Sequence, residues 1–486
     1  MQLEQVIDII KPNKILNYNK KVEIKGISYN SQLTKSADIF VCLQGEYSDG
    51  HNWAKMAKDR GAVALLCERE LDIELPQLIV DSTRNKIADL SALLYNYPTK
   101  NLNLIGVTGT NGKTTVTHLL QKIYEANNEK CALIGTLGYK MSGNDTYHDA
   151  KHTTPQAPEL QATLSKIVDN GIKNTVMEVS SHALEQNRVG QCHFSGAVLT
   201  NLTQDHLDYH ITMDNYFDAK SILFKNLKEG DFAIINADDQ YTERFLAIIP
   251  EKVKVLTYGI KNTADVFASN VQFEPTGVSF DLAVQNKIRR VKLIMNGLFS
   301  VYNALAAIAT SIASGLDLDI VINVLEQTAG VAGRFEIVNN KPLVIVDYAH
   351  TPDGLENVLK TAREITPENG NLVCVFGCGG DRDATKRPKM GAIADKLSDK
   401  LIVTSDNPRS EDPQQIISDI LTGIQSISPQ RVFVEPDRGV AISMIKKIAT
   451  ENDVVLVAGK GHEDYQILKD KTIHFDDREE VKKLYA

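Results

Sequence analysis

The sequence predicts an α/β protein of three domains, spanning residues 1–100, 101–331 and 332–486. Three observations predict it. The chain has 486 residues, and at roughly 150 residues per domain that is about three units. Short, near-continuous apolar runs alternate with helical stretches, as expected for parallel strands covered on both faces. Two breaks rich in turn-forming residues, Asn96-Tyr-Pro-Thr-Lys-Asn101 and the stretch from Gln327-Thr-Ala-Gly330 to Gly333, divide the chain.

In chain order, the first block carries strand-like runs at 38–43, 63–66 and 77–80, separated by helical stretches. This predicts a small α/β unit, with 96–101 as a linker. The second block opens with Leu102-Asn-Leu-Ile-Gly-Val-Thr108, a buried-strand pattern, followed by a helical run from Val116. Residues 175–178 read as another strand, and 297–315 contain an alanine-rich helix. These features predict a central domain with a mainly parallel sheet. In the third block, 343–346, 372–376, 400–403 and 454–457 read as parallel strands.

Composition narrows the function. Hydrophobic residues make up 43% and charged residues 24% of the chain, so a folded core is expected rather than disorder. A net charge of -9 argues against a general nucleic-acid binder, which needs a basic face. The six cysteines (Cys42, Cys67, Cys131, Cys192, Cys374 and Cys378) are scattered without a CxxC pair, so buried free thiols are expected, not a disulfide framework or a zinc site. No signal-peptide core opens the chain, and no apolar run approaches the ~20 residues that span a bilayer. The expectation is a cytoplasmic protein without a membrane span.

Thr108-Gly-Thr-Asn-Gly-Lys-Thr-Thr115 follows a strand and precedes a helix. Glycines let consecutive N–H groups turn toward one anion, and the helix N-terminus adds partial positive charge. Lys113 can reach β- and γ-phosphates, and the Thr114 hydroxyl can hold Mg²⁺. Generic GxxxxGK spacing would need glycine at Val107, so the match is to a variant loop. ATP is the expected ligand, and the central domain is expected to be P-loop ATPase-like.

Phosphoryl transfer needs divalent charge beside the phosphates. Glu178 ends a strand and precedes a polar turn, a natural position for a metal ligand. His206, in Asn201-Leu-Thr-Gln-Asp-His-Leu-Asp-Tyr-His210, and Lys220 follow on either side of a turn. Taken alone, Glu178 reads equally as a salt-bridged carboxylate, His206 as a satisfied histidine, and Lys220 as a solvated helix lysine.

The chain resembles the Mur ligase family, ATP-dependent amide-forming enzymes of peptidoglycan precursor synthesis. The strings that carry the resemblance are TGTNGKTT (108–115), MEVSSHAL (177–184), NLTQDHLDYH (201–210), Ala219-Lys220, AGR (332–334), DYAHTPD (347–353), GCGGDRDATKRPKMG (377–391) and AGKGHEDYQ (458–466). They span all three blocks in family order. The resemblance implies an N-terminal uridine-nucleotide domain, a central ATP domain and a C-terminal Rossmann-like domain that binds the amino acid and closes over ATP. It also implies a monomeric, cytoplasmic ligase with small-molecule substrates, acting in cell-wall biogenesis, cell shape and cell division.

The reaction it implies runs through an acyl phosphate, since phosphate leaves a carbonyl far more readily than carboxylate oxygen does. Lys113, Glu178, His206 and Lys220 are the implied catalytic set. Thr114 and Glu178 would hold one Mg²⁺, and His206 would bear on a second. Lys220 matches the family's carbamylated lysine, a modification that turns a cation into a carboxylate-like group. Gly109, Thr110, Asn111, Gly112, Lys113, Thr114, Thr115, Asn303, Arg334, Asp347 and His350 match ATP contacts. Ser31, His51, Thr153, Thr154, Ser181, Arg188 and Lys220 match contacts to UDP-N-acetylmuramoyl-L-alanyl-D-glutamate.

Asp406-Asn-Pro-Arg409 is similar to the signature of the members that add meso-diaminopimelate. That amino acid ends in a second ammonium–carboxylate pair. Arg382 and Arg409 offer guanidinium forks to the carboxylate. Asp406, Asn407 and Glu463 offer acceptors to the ammonium, and Gly459 allows close backbone approach. A site built to pair a charge rejects a ligand lacking it. An L-lysine-adding member or a folylpolyglutamate synthetase-like ligase is the alternative. Asn30-Ser31-Gln32 stands where the family usually shows Asp-Ser-Arg, and Ser300 where many members have asparagine; the later string Gly45–His51 follows the family.

Overall fold

The protein's architecture comes from a computed structural model that describes residues 1–45, 48–143, 145–148, 152–274, 277–425 and 427–485. Glu46 and Tyr47, within the Gly45–His51 string, therefore lie outside the described residues. Among those described, three large sheets and one two-stranded ribbon organise the chain.

The first sheet runs in the order Lys14–Leu16, Gln77–Ile79, Ala64–Cys67, Asp38–Val41, Gly26–Ser28, parallel except for the first pair. Side chains alternate across it. Ile39, Val41 and Leu66 join helices Leu3–Ile10 and Thr83–Leu94 on one face. Phe40, Leu65 and Cys67 meet helix Ala54–Asp59 on the other. Burial on both faces is why these strands are apolar throughout. The three expected runs form its centre; the two edge strands, three residues each and half exposed, carry no such signal.

The break at 96–101 is not a loose tether. Asn96 and Tyr97 take left-handed φ values, and Pro98–Asn101 forms a 3₁₀ turn with Pro98 and Thr99 buried. Thr99 Oγ1 accepts from the His193 N–H at 3.2 Å, tying the turn to the next sheet.

That second sheet has ten strands. Seven are mutually parallel: Cys131–Gly135, Asn174–Glu178, Asn103–Thr108, Gly196–Leu199, Phe232–Asn236, Lys254–Gly259 and Val266–Glu274, in that spatial order. Antiparallel pairings flank them: Gly138–Lys140 at one edge, and at the other Gly277–Val284 followed by Lys287–Leu293, which again runs with the seven. Val107 and Val198 face helices Lys113–Ala126 and Leu298–Ala313, while Leu104 and Leu199 face helices Ala157–Asp169 and Met213–Lys225. Each such valine or leucine, fully buried, stabilises the fold by ~1.5–3 kcal/mol.

Strand Asn103–Thr108 lies between Asn174–Glu178 and Gly196–Leu199. The chain first builds outward on one side of it and then on the other. The crevice beyond the carboxyl ends of strands at such a reversal is where ligands bind in open α/β sheets.

The third sheet orders Glu336–Asn340, Leu343–Asp347, Val454–Ala458, Leu372–Phe376, Lys400–Val403 and Val432–Val434, with only the first antiparallel. Its middle four strands are the expected ones. The ribbon pairs Tyr465–Ile467 with Thr472–His474. All six cysteines are free; five are buried and Cys192 is partly so. Among the described residues, no helix is long and apolar enough to cross a membrane.

Candidate active site

The loop after strand Asn103–Thr108 needs its glycines. Gly109 has φ +149° and Gly112 φ +88°; a Cβ would stand 1.8 Å from Thr200 Oγ1 at the first and 2.5 Å from Asn303 Oδ1 at the second. No other residue fits there. The loop is laced to the next strand end: the Thr200 hydroxyl donates to the Asn111 carbonyl (2.6 Å), Asn111 N–H to Asn201 Oδ1 (2.9 Å) and the Thr110 hydroxyl to the Thr203 carbonyl (3.0 Å). Helix Lys113–Ala126 starts directly from it, so its first N–H groups and dipole point into the crevice. Lys113 Nζ donates to the carbonyls of Gly109 (2.9 Å) and Thr110 (2.8 Å). Burial pushes its pKa down, while Glu178 and Asp205 pull the other way.

Glu178 is fully buried at the end of its strand. Its carboxylate accepts from Thr114 Oγ1 (2.9 Å), Thr136 N (2.9 Å) and Thr136 Oγ1 (3.0 Å). Gly135 makes room for it, since a Cβ there would stand 2.2 Å from Glu178 Oε1. Arg334 Nη2 donates to the same Thr114 hydroxyl at 3.2 Å, bringing the third domain onto the phosphate loop. Thr136 escaped the sequence reading; its signal was a position just past the buried strand Cys131–Gly135.

Lys220 overturns the reading as a solvated lysine. It is 1% exposed, and its Nζ donates to the Gly109 carbonyl at 2.9 Å and lies 4.6 Å from the Tyr216 ring centre. Burial, and then Lys113, push its pKa well below the ordinary value. Across Tyr216 sits His206, in a left-handed conformation, with Nε2 3.2 Å from Asp205 Oδ2. Burial pushes the His206 pKa down to about 3, against the pull of Asp205. Asp205, also missed, is buried; burial opposes its charge, but His206, His350 and Lys386 outweigh that and hold it below the usual carboxylate range. His350 Nε2 approaches the same Asp205 oxygen at 4.0 Å.

Loop residues 110–115, Thr153, Glu178, His206, Asn303, Arg334, Asp347 and His350 line one cavity of about 400 Å³. Asp347 ends strand Leu343–Asp347 and accepts from the N–H groups of Phe335 and Ala349, each at 2.7 Å. Asp353, within the DYAHTPD string, was not singled out; it accepts from Asn111 Nδ2 (2.9 Å) and Thr203 Oγ1 (3.3 Å), a direct bond between the domains. Ser300 turns back on the Asn296 carbonyl (2.6 Å).

Around Glu178, the Thr153 and Thr136 hydroxyls lie 3.2 Å apart, Thr154 Oγ1 donates to the Glu178 carbonyl (2.8 Å), and Arg188 Nη1 donates to the Thr154 carbonyl (3.0 Å). Ser181 Oγ lies 2.9 Å from His210 Nε2. Ser31 and His51 are in the first domain and are not among the residues lining the cavity. Ser31 is buried, 3.4 Å from Met56 Sδ. His51 has both ring nitrogens occupied, by Asp49 Oδ1 (2.6 Å) and the Glu68 N–H (2.9 Å), which fixes its loop and leaves no ring nitrogen for a ligand.

A second cluster gathers the residues expected to bind the amino acid. Arg409 has φ +53° and donates to the Gly380 carbonyl (2.8 Å); Arg382 donates to the Asp381 carbonyl (2.8 Å). Burial, then Arg382, lower the Arg409 pKa. Asn407 Nδ2 donates to Glu463 Oε2 at 2.9 Å. Gly459 has φ +119°, and a Cβ there would be 3.0 Å from Asp406 Oδ2. Lys460, which sequence reasoning passed over, is fully buried among these groups. The cluster adjoins the cavity through Tyr348, whose ring is 5.2 Å from that of His462.

Among the described residues, no three His, Cys, Asp or Glu side chains converge as a metal cage. The Thr114 hydroxyl and Glu178 carboxylate, 2.9 Å apart, are a hard oxygen pair. They fit Mg²⁺, which keeps water and phosphate oxygens and takes few protein ligands.

Three Mur ligase family descriptions match the chain: the family's catalytic domain over residues 23–97, the middle domain over 107–311 and the glutamate ligase domain over 333–461. A curated relative from Bacillus cereus, UDP-N-acetylmuramoyl-L-alanyl-D-glutamate–2,6-diaminopimelate ligase, is 44% identical, covering 95% of this chain and 94% of that one. A solved structure of an enzyme of the same description is 34% identical with TM-score 0.68, covering 100% and 98%. Folylpolyglutamate synthase of Mycobacterium tuberculosis shares the fold at 19% identity and TM-score 0.65, covering 78% and 92%.

Proposed function

The chain belongs to the Mur ligase family, and from that premise we propose that it is an ATP-dependent ligase joining meso-2,6-diaminopimelate to UDP-N-acetylmuramoyl-L-alanyl-D-glutamate in peptidoglycan precursor synthesis. One observation carries the reading: groups of the phosphate loop, Glu178 and His206 meet Arg334, Asp347 and His350 of another domain around a single cavity, beside a cluster holding two guanidinium groups.

In this reading, the loop N–H groups and Lys113 hold the β- and γ-phosphates. Mg²⁺, on Thr114 and Glu178, would offset phosphate charge. The substrate carboxylate attacks the γ-phosphorus and ADP departs, leaving an acyl phosphate. The diaminopimelate amine then attacks the acyl carbon, phosphate leaves, and the ammonium proton is lost. Thr153, Thr154, Ser181 and Arg188 orient the muramoyl dipeptide beside the loop. Arg334 and Asp353 keep the third domain over the cavity, which excludes water from the acyl phosphate.

Lys220 supports carbamylation. Burial, and then Lys113, push the Lys220 pKa well down, so it gives up its proton more readily to the neutral amine that adds CO₂, and its carbamate would present oxygen where the ammonium presents charge. Arg409 and Arg382 take the distal carboxylate of diaminopimelate, a group that L-lysine lacks. The enzyme is read as a monomer, working in the cytoplasm where ATP and uridine-linked precursors are found.

The test is phosphate release by purified protein with ATP, Mg²⁺ and the UDP-linked dipeptide. Diaminopimelate should drive it and L-lysine should not. Release with lysine alone would make it the lysine-adding type, and release with folate plus glutamate would make it a folylpolyglutamate synthetase.

A further inference from the structure

Lys460 sits on the turn after strand Val454–Ala458 with its side chain wholly buried. Its Nζ lies 3.1 Å from Glu463 Oε2, 3.3 Å from Asn407 Oδ1 and 3.8 Å from Asp406 Oδ1. It is also 5.4 Å from the Tyr465 ring centre. A buried ammonium is tolerated only when its surroundings compensate it, and here two carboxylates do so. Asp406 Oδ1 is itself buried and has no hydrogen-bond partner. Such an oxygen costs stability unless a donor reaches it.

We propose that Lys460 is a positioning residue for the amino-acid substrate: a fixed internal counter-ion that holds Asp406 and Glu463 ionised and converging, so that they accept the distal ammonium of diaminopimelate. The inference rests on the diaminopimelate reading above. Burial, and then the Asp406 carboxylate beside it, push the Glu463 pKa up, while Lys460 pulls it back down. Without a cation between them one would take up a proton, and a protonated carboxyl no longer attracts an ammonium. The other charged or titratable groups facing the pair are Arg409, Arg438, Tyr348, Tyr465 and the buried Cys378 thiol, with Arg382 beyond Arg409. Arg438 is already committed to Asp477 through two bonds of 2.7 Å, and Arg409 serves the substrate carboxylate in this reading, so the charge held between the two acids is that of Lys460. The arrangement divides recognition: guanidinium groups read the carboxylate of the distal pair, and a lysine-braced pair of acids reads its ammonium.

The test compares wild type with Lys460→Met, which keeps the length of the side chain without its charge. Wild-type KM for diaminopimelate should stay flat between about pH 6.5 and 8, because the Lys460 ammonium offsets the upward push on Glu463. In Lys460→Met it should rise about thirtyfold or more at pH 6.5 and fall steeply as pH increases, with KM for ATP and for the UDP-linked dipeptide within about threefold. Lys460→Arg should restore a flat profile with KM within about fivefold of wild type. A flat, near-normal KM in Lys460→Met overturns the proposal, as does a KM that rises equally for all three substrates. Should Lys460→Met fail to fold, Lys460→Gln is read in the same way, and a wild-type KM that already climbs tenfold between pH 8 and 6.5 overturns the proposal by itself. Wild type showing no diaminopimelate-dependent turnover defeats the functional reading instead.

Discussion

Lys113, Lys220 and Lys460 are all buried, and each has different company. Lys113 lies within the loop, where burial lowers its pKa and the opposing charges of Glu178 and Asp205 pull it back up. Lys113→Ala should lower kcat about a thousandfold or more in a phosphate-release assay, as expected when a preorganised charge on the transferring group is lost. Near-normal turnover would remove the loop assignment. Lys220 is wholly buried, and that burial and then the Lys113 charge push its pKa well below the ordinary value, against the pull of Asp205. Lys220→Ala should be nearly inactive and regain part of its rate with millimolar short-chain carboxylates, which replace the missing carbamate oxygens. Arg409→Ala should raise KM for diaminopimelate about a hundredfold and leave KM for ATP unchanged. The sequence showed the glycine loop and its lysine because they are contiguous. It hid Thr136, 42 residues before the Glu178 it binds, and Asp205, whose partners His350 and Lys386 come from another domain. Lys460 was in plain view inside a quoted motif, but only burial distinguishes it from an ordinary surface lysine.

At the scale of elements, the strands buried on both faces were readable and those at the edges were not. Runs such as Leu372–Phe376 must be apolar because both faces are covered. Gly26–Ser28 and Lys14–Leu16 have three residues each and too little buried surface to leave a pattern. The exposed half of Lys287–Leu293 reads as charge, because an edge strand keeps lysine and arginine outward to prevent pairing with other chains. The junction between strand Asn103–Thr108 and helix Lys113–Ala126 is the least forgiving element. Gly112→Ala would force an L residue to φ +88° and a methyl to 2.5 Å from Asn303 Oδ1. ATP affinity, measured by calorimetry, should drop about a hundredfold, and the melting temperature should fall by a few degrees, since such strain costs ~1–3 kcal/mol.

For the whole molecule, two sheets present their carboxyl ends to one cavity, and a hydrogen bond from Asn111 to Asp353 spans them. Burial also holds His118, His182 and His210 at about 4 and His462 at about 3, below the usual histidine value. Each lowered value means that the unfolded chain binds more protons than the folded one between the two pKa values. The stability these histidines confer when neutral is therefore present above about pH 6.5 and lost as pH falls toward 4. The melting temperature should fall by more than about 10 °C between pH 6.5 and 4.5; a flat profile would contradict the burial of these rings. The parallel strands have one further consequence. Because the reacting groups crowd one rim of the central sheet, the turns feeding strands Asn174–Glu178 and Phe232–Asn236 from the opposite rim are spectators. A Cβ at Gly171 or Gly230 meets nothing within 4 Å. Both glycines hold positive φ values (+70° and +98°) that an L residue resists, so a dye or affinity handle belongs on their exposed neighbours Asn170 and Glu229, where it could follow the enzyme through turnover without touching its chemistry.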